Sequence, residues 1–82
     1  MTELVFPELR RRPVANRAPV RGVLVRWLAA DGSSVHVGDR LAEVGTDGEV
    51  VGWVLALATG TLWHQARAGE VLSAGAVVGL ID

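Results

Sequence analysis

The chain has no cysteine, no lysine and no tyrosine. Each absence closes a route. Without thiols, neither disulfides nor thiolate–metal staples can hold the fold, so burial and backbone pairing must do so alone. Without lysine, all eight basic residues are arginines, and the only amine is that of the N-terminus. No uninterrupted apolar run approaches the ~18–20 residues that a membrane-spanning helix needs. The first residues, MTELVFPEL, include Glu3 and no apolar stretch of signal-peptide length, so a soluble cytoplasmic protein is the expectation. Aromatic residues are few, namely Phe6, Trp27, Trp53 and Trp63.

What is present fits one small domain. The chain has 82 residues, half of them hydrophobic, and a domain of this size buries only ~60–65% of its unfolded surface. Charge is uneven. Residues 1–26 hold six arginines against Glu3 and Glu8, while residues 27–82 hold two arginines against seven acids. A basic arm can signal nucleic acid. Here the net charge is −1, only Arg10, Arg11 and Arg12 are contiguous, and Phe6 is the sole aromatic of the segment, so nucleic acid is not the expected partner. A solvated loop near an acidic body accounts for the pattern.

Short stretches rich in Val, Leu and Trp are separated by Gly, Asp and Ser: residues 22–28, 40–44, 49–57, 60–66 and 77–81. They read as strands, and no window of helical length carries an apolar stripe free of glycine. The two halves also repeat. GVLVRWLAADGSSVHVGDRLAEV (22–44) can be laid on GTLWHQARAGEVLSAGAVVGLID (60–82), matching Gly22 to Gly60 and Leu24 to Leu62, then Gly32 to Gly69, Gly38 to Gly75 and Val44 to Ile81. Two copies of one β-unit that cannot bury their apolar faces separately predict an all-β, pseudo-twofold sandwich. Gly32 and Gly38 are expected at turn positions with positive φ.

FPEL (6–9), the Trp27-Leu28 pair before a glycine turn, the V-x-x-G-x-x-L-x-x-V run of Val35 to Val44, and Thr46-Asp47 together resemble the lipoyl domain of 2-oxo acid dehydrogenase acyltransferases, within the wider biotinyl/lipoyl carrier fold. The resemblance covers nearly the whole chain. It implies a flattened β-barrel or sandwich of two antiparallel sheets, a barrel-sandwich hybrid, with a modified lysine at a hairpin tip. In these terms residues 1–9 supply the first strand, 10–21 an inserted loop, 22–44 and 60–82 the repeat halves, and 45–59 the central hairpin region.

The departures decide the expected function. Family members carry Glu-Thr-Asp-Lys at the tip; here the string is Gly45-Thr46-Asp47-Gly48-Glu49. Laying residues 50–60 on the family's descending strand puts Glu49 at the lysine position and makes Gly48 an insertion. A carboxylate cannot form the amide that holds lipoate or biotin, so no cofactor is expected. The strand leaving the tip carries Val51, Trp53, Leu55 and Leu57, where the family often has Glu or Pro. If those residues face outwards they form an apolar strip that suits a protein partner. A one-residue shift in register would instead turn Trp53 into the core. Trp27 and Trp63 are read as core residues.

The loop RRRPVANRAPVR (10–21) is longer than its family counterpart and basic where that loop is acidic. It favours a partner with an acidic surface, reached through Arg10, Arg11 and Arg12, or self-association. The expected function is therefore a non-modifiable lipoyl-like interaction or scaffold module, associated with a dehydrogenase-like or biosynthetic enzyme. The alternative is a carrier modified by unusual chemistry at Glu49 or Asp47. No enzyme activity is expected, because so small a barrel has no deep cleft. The serines of DGSSV suit a turn. His36 and His64, 28 residues apart with no cysteine to help, do not suggest a metal site.

Overall fold

The computed structural model describes residues 1–9 and 21–82, and within them the chain forms eight strands and no helix. These are β1 (Thr2–Val5), β2 (Arg21–Trp27), β3 (Ser34–Val35), β4 (Arg40–Thr46), β5 (Glu49–Leu55), β6 (Gly60–His64), β7 (Val71–Ser73) and β8 (Val77–Ile81). Accordingly, none of the described residues lies in a helix able to cross a membrane. Strands end where the sequence supplies backbone freedom: Gly32, Gly38, Gly48, Gly69 and Gly75 all have positive φ.

The strands build two four-stranded sheets, ordered β1-β8-β6-β3 and β5-β4-β2-β7. Every pairing is antiparallel. Each sheet keeps two edge strands, and no pairing among the described residues closes the sheets into one barrel. Of the expected flattened barrel or sandwich of two antiparallel sheets, the two sheets are present and share one core, and no closed barrel is formed among the described residues.

That core follows from the period-2 alternation of the strands, interrupted on β4 where a register shift between Arg40 and Ala42 leaves Leu41 buried next to Ala42. Leu24 of β2, Leu41 and Val44 of β4, Leu62 of β6 and Val78 of β8 are fully enclosed, with Leu4 of β1 and Phe6 just beyond it. Phe6 and Leu9 pass directly over Gly22, where a Cβ would sit 2.7 Å from the Phe6 ring and 2.6 Å from Leu9 Cδ1. The FPEL stretch is thus a core element. Among the described residues no polar or charged side chain is buried, so the fold rests on apolar burial and backbone pairing.

Trp63 is a correction. It was expected in the core, yet it is 42% exposed. Alternation gives the reason, because its neighbour Leu62 occupies the core and the next residue must point outwards. The Trp63 ring lies instead over the Gly32 turn, 3.5 Å from where a Cβ would be. Trp27 is only half-buried and packs against the rim of the core.

Candidate functional site

The β4–β5 hairpin begins with Thr46 paired to Glu49, leaving Asp47 and Gly48 as a two-residue loop. Both loop residues have positive φ, 53° and 80°. That is the type I′ geometry whose twist matches the flanking strands and for which Asp-Gly is a preferred pair. Glu49 is the first residue of β5 and is exposed. Two residues before the loop, Gly45 is pressed against the carbonyl of Glu49, with no room for a Cβ.

Below the tip, the partners on β5 jump from Val50, opposite Gly45, to Gly52, opposite Val44. Val51 is the extra residue of a β-bulge. The bulge sets the phase of the strand beyond it: Gly52 and Val54 face Val44 and Ala42 of the core, and Trp53 and Leu55 face out beside Glu43 and Arg40. Val51, Trp53, Leu55 and Leu57 are all exposed, Trp53 by 39%. Trp53 is therefore not a core residue.

The outer face of the β5-β4-β2-β7 sheet can be read row by row from the pairing. Nearest the tip, Val71, Val23, Gly45 and Val50 lie side by side across four strands. Val23, Val25 and Val50, with Thr46 and Glu49, line a shallow groove of about 260 Å³. The next row is Arg26, Glu43 and Trp53. Arg26 Nε donates to Glu43 Oε1 at 2.7 Å and Nη2 to Oε2 at 3.4 Å. Hydrogen bonding and charge from Glu43 raise the Arg26 pKa further above its ordinary value, but in an exposed pair this adds little stability. In the third row, Arg40 stands beside Leu55 and lays its guanidinium over the Trp53 ring, 4.1 Å from the centroid. At an exposed site such a cation–π contact contributes about 0.5–1 kcal/mol.

No family model and no curated protein matches this chain. The site must be read from its own geometry.

The His64 side chain serves structure. His64 stacks on Trp27 with centroids 3.8 Å apart and planes 9° apart. Its Nε2 lies 2.9 Å from the Ala29 carbonyl, and since a carbonyl only accepts, that nitrogen carries the proton. Trp27 Nε1 donates to the Ala66 carbonyl at 3.0 Å, and the His64 backbone N–H donates to Asp31 Oδ1 at 2.7 Å. His36 is exposed, and its N–H donates to Asp39 Oδ2 at 2.8 Å. Among the described residues no group of three or more His, Asp or Glu could hold a metal ion.

Of the residues singled out in the sequence, Asp47, Gly48 and Glu49 cluster at the tip, and Val51, Trp53 and Leu55 run down the edge strand from it. Arg10, Arg11 and Arg12 lie outside the described residues. Sequence reasoning overlooked Arg40 and the groove valines Val23, Val25 and Val50. A register for the hairpin would have found Arg40, since pairing Glu43 with Trp53 brings Arg40 alongside.

Proposed function

We propose that the chain is a lipoyl-like domain that cannot carry lipoate or biotin on a side chain and acts as a protein-interaction module. The observation that carries this reading is one hairpin with two properties: a tip of Asp47, Gly48 and Glu49 in a chain with no lysine, and an exposed apolar strip, Val51, Trp53 and Leu55, descending from it. A carrier needs an amine at the tip. An interaction module needs an aromatic anchor at the surface, and Trp53, with the Arg40 guanidinium packed on its ring, supports that role.

The pseudo-twofold barrel-sandwich architecture belongs to the same proposal. Reciprocal backbone bonds support it. The Gly32 N–H donates to the Leu62 carbonyl and the Gly69 N–H to the Leu24 carbonyl, both at 2.6 Å. Leu62 N–H donates to Ser33 at 2.9 Å, and Leu24 N–H to Glu70 at 3.0 Å. Gly38 N–H donates to Ala56 at 2.8 Å, and Gly75 N–H to Phe6 at 2.9 Å. Exchanging residues 22–44 with 60–82 turns the first four of these bonds into their counterparts; the last pair, and the two sheet orders, exchange once β1 and Phe6 are also set against β5 and Ala56.

In this reading the arginine-rich loop, 10–21, adds attraction for an acidic protein surface, and the apolar strip supplies the desolvated contact. Two measurements test it. Intact-mass analysis after native expression should give the unmodified chain; added mass mapped to Glu49 or Asp47 would establish the carrier reading instead. Binding to a co-purifying protein should weaken on Trp53→Ser and on reversal of Arg10, Arg11 and Arg12 to Glu. Binding indifferent to both changes would rule out this docking surface.

A further inference from the structure

We infer that β5 is the contact edge for a second copy of this chain, the two β5 strands lying antiparallel about a twofold axis near Trp53. The inference rests on the interaction reading above and names its partner.

The four sheet edges are treated differently. β1 has four residues, includes Glu3 and is followed by Pro7; β3 has two residues and β7 has three. Short length, charge and proline are the usual devices that keep an edge from pairing. β5 has seven residues, and Val50–Leu57 contains neither a charge nor a proline. Among the described residues no strand pairs with its outer side. Among the described residues its blunting devices are Glu49 at its first position, the bulge at Val51 and a second shift in its pairing with β4 between Arg40 and Ala42, which leave Gly52–Val54 regular.

Charge points to a second copy. Glu49 stands at one end of β5, and Arg40 flanks Leu55 at the other. Six residue steps, about 20 Å of strand, take the chain from one end to the other. Antiparallel pairing of two copies brings each acidic end towards the other's Arg40 end, twice, with Trp53 in the middle. A strand of uniform charge would satisfy one end and oppose the other. The face beside it is self-neutral, since Arg26 is matched by Glu43, and a net charge of −1 sets little repulsion against self-association. Each copy has one such edge, so pairing closes at two.

Sedimentation velocity across rising concentration should show a particle of twice the 8.7 kDa chain. Trp53→Glu and Trp53→Lys each place like charges against themselves across the axis. Each should weaken the dimer at least about tenfold while keeping the β circular-dichroism spectrum, and an equimolar mixture should re-form a heterodimer. As the chain has no native cysteine, Trp53→Cys should oxidise to a disulfide-linked dimer and Val71→Cys, on the opposite edge, should not. The cysteine pair decides the matter if the charge variants fail to fold. A wild-type monomer at every concentration, a dimer indifferent to both charge variants, or equal cross-linking at Val71 would overturn the inference. A monomer that still binds another protein through Trp53 would overturn the second copy alone and leave the interaction reading standing.

Discussion

Gly45 and Gly48 exclude side chains for different reasons, three residues apart on one hairpin. At Gly48 a Cβ would meet nothing within 4 Å, and the obstacle is φ of 80°. At Gly45 the Cβ would collide with the Glu49 carbonyl, which is backbone and cannot rotate away. Gly48→Ala should therefore cost about 1 kcal/mol, and Gly45→Ala more, about 2–4 kcal/mol, by forcing β4 and β5 apart. Thermal unfolding reads both, since ~1 kcal/mol moves the Tm of a domain this size by roughly 4–8 °C. A milder Gly45→Ala would mean that the strands are not so close there. Trp53 and Leu62 form a second contrast. Leu62 is fully enclosed, so Leu62→Ala should cost about 2–5 kcal/mol. Trp53→Ser removes a half-covered ring and its Arg40 contact, about 1–2 kcal/mol, with the β spectrum retained. Global unfolding of Trp53→Ser would place the tryptophan in the core after all.

Among the elements, the longer strands were legible in the sequence almost to their ends. Alternation and glycine punctuation mark β2, β4, β5, β6 and β8, because four or more residues give a period to read. β3 and β7 span two and three residues, too few for alternation, and they were hidden within the turn-rich runs of the repeat. The misplacement of Trp63 has a related cause. Size and hydrophobicity argued for the core, whereas the repeat pairs Trp63 with Val25, and both sit next to an enclosed leucine and face out. At the site, the tip residues and the apolar strip could be found from sequence. The groove valines could not, because they come together only through the register of β2, β4 and β5. That register makes an element-level prediction. Deleting Val51 removes the bulge and makes the Gly45–Val50 and Val44–Gly52 pairs consecutive with their facing unchanged, so the variant should unfold cooperatively within about 1–2 kcal/mol of wild type. Deleting Trp53 should not be tolerated, since a one-residue slip turns Val54 out of the core or Gly52 out of phase. Urea titration of the two deletions distinguishes them. Equal losses would mean that Val51 is no bulge.

For the whole molecule, one core must stabilise both sheets without any covalent staple, and it does so with aliphatic residues and Phe6 while all three tryptophans stay at least partly exposed. Large aromatic surface kept outside a small core is what an interface uses. Backbone hydrogen exchange can separate the two roles. In β2, β4, β6 and β8, which have a neighbour on each side, amides are enclosed by pairing and should exchange only through global unfolding. The outward amides of β1, β3 and β7 should exchange early by local opening. An isolated β5 would behave as they do, because its outer side has no partner strand among the described residues. With a second copy alongside, the outward amides near Trp53 must become protected, and only to the extent that the dimer is populated. Exchange in β5 should therefore slow as protein concentration rises, while β1, β3 and β7 stay unchanged, and Trp53→Glu should abolish the dependence. Concentration-independent exchange in β5 at the rate of the other edges would leave that strand unpaired in solution. Slowing at all four edges together would point to general aggregation rather than to one specific seam.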